Sequence, residues 1–362
     1  MTMTMTKDVL RYDEKAIMRL RALYKQYGYT QYRMSRFEEY GLYSENKAFL
    51  SSGEIITFTS AGGKLMALRP DVTLSIVKNT ADSHGMRKLY YNENVYRPDG
   101  HDFKERMQVG LECIGDIDTY TVSEVIMLAC RSLSELGDRS VLDISHMGYI
   151  SGLLNSANLT AKQKTELLQR IREKNVPEIV SLCAVYGLAD DFKDRIAALS
   201  ALYAPYGEAL IELRRLSIND ETEAALGELE EIRDTLERFG GVQGVNIDFS
   251  IVNDLNYYNG IIFQGCIEGI PANVISGGRY DGLLDRFGKK AGAIGFAVYL
   301  DLLEKTAPPR SAPEFDVLLL YGDNTDASAL AGEVAALTEE GRSVRVQREK
   351  PENMKYKRLM TM

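Results

Sequence analysis

The sequence is poor in the residues from which most metal and redox sites are built. Its 362 residues include only three histidines and four cysteines, and the cysteines are scattered with no CxxC pair. Zinc sites use histidine and cysteine ligands at close spacing, so we expect no metal and no cofactor. Unpaired, scattered thiols are typical of structural cysteines in a reducing compartment, which predicts a cytoplasmic protein.

Long apolar runs and an excess of positive charge are missing as well. No stretch of 18 apolar residues occurs, and the start, MTMTMTKDVL, lacks the apolar centre of a signal peptide. The chain has 43 lysines and arginines against 52 aspartates and glutamates, a formal net charge of −9. Nucleic-acid-binding proteins usually carry a basic stripe that neutralises phosphates. The sequence therefore argues against a membrane span and against tRNA binding.

Motifs for phosphate binding and nucleophilic catalysis are also lacking. The stretch GLLDRFGKK (282–290) has the wrong glycine spacing and no serine or threonine after its lysine. His146 directly follows a predicted strand in DISHMGYI, and nothing marks it as a base. We interpret it as a structural histidine.

Periodicity indicates a mixed β-rich region followed by helices and then by strands again. The predicted elements before residue 150 are a helix over 13–27, a hairpin over 54–68 turning at Gly62-Gly63, a helix to Asn79, strands over 87–97 and 106–116, and a helix over 120–136. Residues 157–239 read as several amphipathic helices. Strand patterns return after 240, and Gly292 and Gly295 lead into a predicted helix over 295–305.

These patterns predict a discontinuous core domain. We assign 1–156 and 240–305 to the core, 157–239 to a helical insertion, 306–314 to a proline-rich linker, and 315–362 to a β-α-β piece. The last piece is too short for a complete doubly wound domain.

Three polar segments suggest a binding site. LRPDVT (68–73) ends a strand with a cation and a carboxylate, and a predicted strand pair carries Arg97 on one arm and Gln108 and Glu112 on the other. Gln108 and Glu112 are an even number of residues apart, so their side chains share one face of the sheet. NDLNYYNG and SGGRYDGL add tyrosines. Together they suit a small zwitterion, since carboxylates bind cationic groups and amides and hydroxyls bind the rest.

In this order and spacing, LRPDVT, QVGLECIG, LNYYNG and SGGRYDGL resemble the catalytic domain of histidyl-tRNA synthetases, over about residues 8–305. The resemblance implies an α+β fold of the class II synthetase type, an antiparallel sheet flanked by helices. It also implies a helical insertion at 157–239 and a short, truncated α/β piece at the C-terminus.

The resemblance further implies a histidine pocket. Its eight residues would be Asp71, Thr73, Arg97, Gln108, Glu112, Tyr257, Tyr258 and Tyr280. Asp71, Thr73 and Gln108 would lie near the amino group of the ligand and Glu112 near its imidazole. Tyr257 or Tyr258 would line the ring together with Tyr280. Arg97 would be the retained arginine of the second class II motif.

Departures from the synthetase pattern argue against aminoacylation. Asn253 and Leu302 stand where synthetases carry arginines, and Ser35 replaces the proline of the first motif. Each lost charge-assisted hydrogen bond in a closed site costs roughly 1.5–3 kcal/mol, so two missing arginines imply a loss of order 10²–10⁴ in rate. The short C-terminal piece resembles only the opening of the anticodon-binding domain, which again argues against tRNA as a partner.

Synthetase paralogues with this profile resemble the regulatory subunits of ATP phosphoribosyltransferase, the first enzyme of histidine biosynthesis. That resemblance implies no independent catalysis, a dimer through the class II interface, and a hetero-oligomer with a short catalytic subunit. It also implies activation by assembly and feedback inhibition by histidine.

Two alternatives stay open from the sequence. A divergent but active histidyl-tRNA synthetase would need another cation for the missing arginines, and Arg279 and Arg286 are the nearby candidates. A paralogue that binds another amino acid, or serves as a scaffold, would fit Asp71 in place of a longer carboxylate.

Overall fold

The chain divides into a large and a small unit. A computed structural model describes residues 10–47, 50, 54–80, 85–100, 102–241, 243–252, 258–304, 313–351 and 354–362. The large unit spans Asp13–Lys305, and the small unit holds Thr306–Met362 with the N-terminal residues up to Tyr12. The finer predicted division into core, insertion and linker stays a prediction, and most of the predicted linker falls outside the described residues.

The strands and helices of the described residues are numbered in chain order. The strands are β1 (Thr30–Gln31), β2 (Phe37–Glu39), β3 (Thr57–Thr59), β4 (Leu65–Leu68), β5 (Arg87–Asp99), β6 (Asp102–Gly115), β7 (Ser140–His146), β8 (Tyr203–Pro205), β9 (Val245–Asp248), β10 (Ile261–Ile267), β11 (Ile275–Arg279), β12 (Gly292–Tyr299), β13 (Phe315–Leu320), β14 (Val344–Gln347) and β15 (Tyr356–Thr361). The helices are α1 (Tyr12–Gln26), α2 (Tyr40–Glu45), α3 (Thr73–Asn79), α4 (Thr119–Leu136), α5 (Met147–Asn155), α6 (Ala161–Arg172), α7 (Val176–Val185), α8 (Asp190–Ala201), α9 (Tyr206–Leu216), α10 (Asp220–Arg238), α11 (Asp281–Arg286), α12 (Asp301–Glu304) and α13 (Ala327–Glu339). None of these helices is both long and apolar enough to cross a membrane.

A mostly antiparallel nine-stranded sheet forms the centre of the large unit. Its order is β1-β5-β6-β12-β11-β10-β7-β9-β8, and only β1 with β5 and β7 with β9 run parallel. The predicted strand pair is its longest ladder, with β5 and β6 in register from Arg87 opposite Ile114 to Asp99 opposite Asp102. Gly100 turns between them with φ 68°, a left-handed conformation that glycine adopts without a steric penalty.

Helix α4 covers one face of this sheet, as its sequence pattern predicts. The side chains that its helical period puts on one face, Val122, Val125, Ile126, Ala129 and Leu133, are all buried, and the helix packs against β7, β10 and β12. Asp118 begins the helix, because its side chain accepts the Thr121 N–H at 2.8 Å.

One predicted helix is wrong. The residues from 295 onward continue strand β12 as far as Tyr299, and only Asp301–Glu304 are helical. Strand β12 pairs with β6 on one side and β11 on the other, and Ile294, Phe296 and Val298 alternate into the apolar core. Hydrogen bonding on both edges, burial of these side chains and the strand preference of Phe, Val and Tyr favour a strand, and the helix-forming leucines and acids begin only after it.

Several short strands were not predicted, and β8 and β15 are two of them. The block expected to be helical contains α6–α10 but also β8, which pairs with β9 at the edge of the main sheet. In the small unit, the polar tail forms β15, which lies parallel to β13 and gives the order β14-β13-β15. Short strands of mixed polarity carry little periodic signal, and their pairing depends on partners far along the chain.

Candidate ligand-binding pocket

A polar pocket opens on the sheet face opposite α4. The space between its walls is about 430 Å³, open solvent at its mouth included. Seven of the eight predicted site residues line it, namely Asp71, Thr73, Arg97, Gln108, Glu112, Tyr258 and Tyr280. The eighth, Tyr257, lies outside the described residues, as does Asn253. The structure therefore brings the predicted set together, and its role in binding histidine stays a prediction.

Strand geometry explains why side chains distant in sequence meet here. Gln108, Gly110 and Glu112 follow each other at every second position of β6 and share one face. Across β12, Gln108 pairs with Tyr299 and Glu112 with Gly295. Another wall of the pocket is the turn that enters α3, where the Asp71 Oδ1 accepts the Leu74 N–H at 2.9 Å. This hydrogen bond fixes Asp71 at the start of the helix.

Glu112 is a strongly perturbed acid in the pocket. Its side chain is 2% exposed and accepts hydrogen bonds from the Thr73 hydroxyl at 3.0 Å and from the Tyr280 hydroxyl. Burial raises the pKa of Glu112 to about 8, although both hydrogen bonds act to lower it. This carboxyl is therefore largely protonated at neutral pH. A cationic group placed beside it would favour the ionised form.

Asp71 gives the pocket a second carboxyl, which is half-buried. Burial raises its pKa as well, while its backbone hydrogen bonds and the charge of Arg97 partly oppose that shift. The Arg97 guanidinium is held in place because its Nε donates to the Pro70 carbonyl at 3.0 Å. One cation and two acids thus lie around a single cavity, which is the charge pattern of a receptor for a zwitterion.

Arg69, the cation of LRPDVT, has a structural role. Its side chain is fully buried, pairs with Glu93 at 2.9 Å and donates to the carbonyls of Ser35 and Asn94 at 2.6 and 2.9 Å. It fixes the strand end that carries Asp71, and it does not line the pocket.

Three polar residues of the pocket were missed by sequence reasoning. Tyr91, Ser276 and Tyr299 also line the cavity. Burial raises the pKa of both tyrosines, so their hydroxyls stay protonated and able to donate. Tyr91 could have been found, because it is six positions from Arg97 on the same strand and so shares its face. Tyr299 could not, because the sequence pattern placed it in a helix.

Among the described residues that line the pocket, Arg97 is the one cation. No second cation there replaces the arginines that the synthetases carry. Leu302 is half-buried and packs against the hydrophobic core. The Arg279 Nε pairs with Asp281 at 2.9 Å. Within the described part of the chain, no group of three or more histidine, cysteine or acidic side chains could hold a metal ion.

Comparisons with known proteins agree with the fold. A family profile described as histidyl-tRNA synthetase matches residues 6–303. An ATP phosphoribosyltransferase regulatory subunit from Oceanobacillus iheyensis is 30% identical, over 84% of this chain and 77% of the relative. A crystal structure from Bacillus halodurans C, described as an ATP phosphoribosyltransferase regulatory subunit/histidyl-tRNA synthetase, superposes with a TM-score of 0.80 at 25% identity, covering 96% of this chain and 93% of the other. A chain of an ATP phosphoribosyl transferase (HisG:HisZ) complex from Thermotoga maritima shares the fold, with a TM-score of 0.65 at 19% identity over 80% of this chain and 97% of that one.

Proposed function

Because this chain belongs to the histidyl-tRNA synthetase family, and within it to the ATP phosphoribosyltransferase regulatory subunits, we propose that it activates a short catalytic subunit and mediates inhibition by histidine. The phosphoribosyl transfer takes place on the partner. The chain is a dimer through the class II interface within a cytoplasmic hetero-oligomer. The name of the similar Thermotoga maritima assembly, which joins two kinds of subunit, supports this composition.

The observation that carries the histidine part of the proposal is the chemistry of the pocket. Glu112, Asp71, Gln108 and Arg97 surround one cavity, and histidine presents an amino group, a carboxylate and an imidazole to such a set. Thr73 and Tyr280 hold the Glu112 carboxyl in a fixed orientation before any ligand arrives. Preorganised polar groups lower the cost of ordering on binding.

Feedback follows if the inhibited assembly binds histidine more tightly than the active one. A tenfold difference in affinity shifts the equilibrium between the two assemblies by about 1.4 kcal/mol for each bound histidine. The coupling is reciprocal, so the catalytic subunit must change histidine affinity by the same factor. Because this form of feedback needs only histidine binding and a shift between two assemblies, the chain needs no catalytic group of its own.

The test is a phosphoribosyltransferase assay of the short catalytic subunit from the same genome, with and without this chain, over a histidine titration. We expect stimulation by the chain and suppression by histidine. The Glu112→Ala chain is the informative partner, because it should still stimulate the enzyme but lose the histidine response. If the wild-type chain leaves a well-folded catalytic subunit unchanged, the regulatory function is wrong. Histidine-dependent ATP–pyrophosphate exchange would then test the synthetase alternative.

A further inference from the structure

A lysine outside the pocket holds the far end of helix α3. The Lys289 ammonium donates hydrogen bonds to the carbonyl oxygens of Val77 and Thr80, and to that of Lys78 at 3.4 Å. These carbonyls lie at the C-terminal end of α3, where the last carbonyls of a helix lack the N–H partners of a following turn. A positive charge at this end also interacts favourably with the helix dipole. Lys289 is therefore a cap for α3 that comes from another part of the chain.

The preceding carbonyls of α3 are bound by side chains of the helix end itself. The Asn79 amide donates to the Ser75 carbonyl at 2.8 Å, and the Thr80 hydroxyl donates to the Ile76 carbonyl at 2.7 Å. Lys289 reaches the same helix end across 209 positions of the chain. Its contribution is thus a tertiary contact, and the two local caps do not replace it.

The other end of α3 carries residues of the pocket. The Asp71 carboxylate accepts the Leu74 N–H at 2.9 Å, and the Thr73 hydroxyl donates to Glu112 at 3.0 Å. The helix is only seven residues, about 10 Å long, and its inward side chains are buried. A short helix packed in this way moves as one rigid element. A shift at its C-terminal end therefore also displaces Asp71 and Thr73.

Lys289 also lies at the entry to another wall of the pocket. Strand β12 begins three residues later, at Gly292, and its residues Gly295 and Tyr299 line the cavity. Gly295 is paired directly with Glu112 of β6. Lys289 itself is not among the described residues that line the pocket. Its hydrogen bonds join two walls of the pocket, so it acts on a ligand through the positions of those walls.

We propose that Lys289 is a positioning residue of the pocket. By holding the C-terminal end of α3 against the chain that enters β12, it fixes Asp71 and Thr73 opposite that strand and so raises the affinity for the ligand. Ligand-binding groups need such a supporting layer of residues to hold them in place. The inference rests on the proposed histidine function for its ligand. It gives a role to the stretch GLLDRFGKK (282–290), which lacks the spacing of a phosphate loop.

The experiment uses the full-length chain and two neighbouring lysines. Lys289→Met removes the hydrogen bonds to α3, and Lys290→Met is the control, because Lys290 carries the same charge and is exposed. Lys289→Arg keeps the charge and several donors. Histidine affinity is measured by calorimetry, and global stability by urea unfolding. Amide hydrogen exchange of the peptide over residues 71–80 is measured without ligand.

We expect Lys289→Met to weaken histidine binding about fivefold and to accelerate exchange in this peptide, because the helix loses its cap and its first turn loses a fixed position. Lys290→Met should stay within about twofold of wild type, and Lys289→Arg should recover most of the affinity. In a Thr73→Val background, the loss caused by Lys289→Met should fall to about twofold or less, since its effect runs in part through the Thr73 hydroxyl.

Equal histidine affinity in the Lys289→Met and Lys290→Met chains would overturn the positioning role. Faster exchange or lower stability with unchanged affinity would overturn it too, because Lys289 would then be a helix cap alone. An undiminished loss in the Thr73→Val background would show that the effect does not pass through α3.

If Lys289→Met does not fold, Lys289→Gln replaces it in the same comparison, because glutamine keeps an amide donor without the charge. A wild-type chain that binds no histidine would refute the proposed function together with this inference. A wild-type chain that binds histidine, with the same affinity in every Lys289 variant, would refute this inference alone.

Discussion

The carboxylate of Glu112 lies directly across Gly295 of the neighbouring strand. A Cβ atom at position 295 would stand 1.8 Å from the Glu112 Oε2 and 2.4 Å from the Leu111 carbonyl oxygen. Glycine is therefore the residue that lets Glu112 lie flat on the sheet and point toward Thr73 and Tyr280. The acid and the glycine form one unit, although 183 positions separate them (295 − 112).

Gly295→Ala should displace the Glu112 carboxylate and weaken histidine binding at least tenfold. Overpacking of this kind also costs typically 1–3 kcal/mol of stability. Adding Glu112→Ala should recover part of the stability, but not all of it, because the Leu111 carbonyl remains in contact. Calorimetry and urea unfolding measure the two effects. Gly227→Ala is the control, since a Cβ there meets no atom within 4 Å. Equal losses of histidine affinity and of stability in both variants would contradict this prediction.

Glu112→Ala should lower histidine affinity by about 10- to 100-fold while the chain stays folded. The loss of a charged hydrogen-bonding partner for a buried ligand accounts for this size. Glu105→Ala is the matched control, because Glu105 lies on the same strand but is exposed and bonds to Asn94 and Tyr96. Isothermal calorimetry on both variants decides the point. An unchanged affinity for the Glu112 variant would place the effector site elsewhere.

The raised pKa of Glu112 should make stability depend on pH in a defined direction. Between the ordinary value of 4.5 and the folded value of about 8, the folded chain binds a proton that the unfolded chain has lost. The stabilisation is complete below about pH 4.5 and disappears as pH rises to about 8. Glu112→Gln keeps the neutral form at every pH. Its stability relative to wild type should therefore improve by about 1.4 kcal/mol for each pH unit across this window.

This prediction is measured by urea unfolding of both chains at pH 5, 6.5 and 8 in one buffer series. The difference between the chains isolates Glu112 from other titrating groups. A constant difference over the whole window would show that Glu112 titrates near its ordinary pKa.

Arg69→Met should destabilise the fold strongly without touching the pocket directly. Removing the guanidinium leaves Glu93 without its partner in a largely buried site, a loss of about 3–5 kcal/mol. Lys64→Met is the control, because Lys64 and its partner Glu39 are mostly in water and contribute little. Thermal unfolding of the two variants tests the contrast. Similar melting temperatures would contradict the structural role assigned to Arg69.

The sequence by itself determined the local elements and much of the pocket. The strand pair β5–β6 and helix α4 follow from periods of 2 and 3.6, which depend only on neighbouring residues. The same period of 2 puts Gln108 and Glu112 on one face of the sheet. The recognisable motifs supply most of the other pocket residues.

Tertiary structure decided everything that depends on partners far along the chain. Residues 295–299 form a strand because β6 and β11 offer hydrogen bonds on both edges, and Phe296, Val298 and Tyr299 are residue types that favour strands. Tyr299 enters the pocket for that reason alone. The pKa of Glu112 is likewise a tertiary property, since burial raises it while the hydrogen bonds from Thr73 and Tyr280 act to lower it. Sequence spacing identifies Glu112 as a pocket residue, and only the packing around it determines its protonation state.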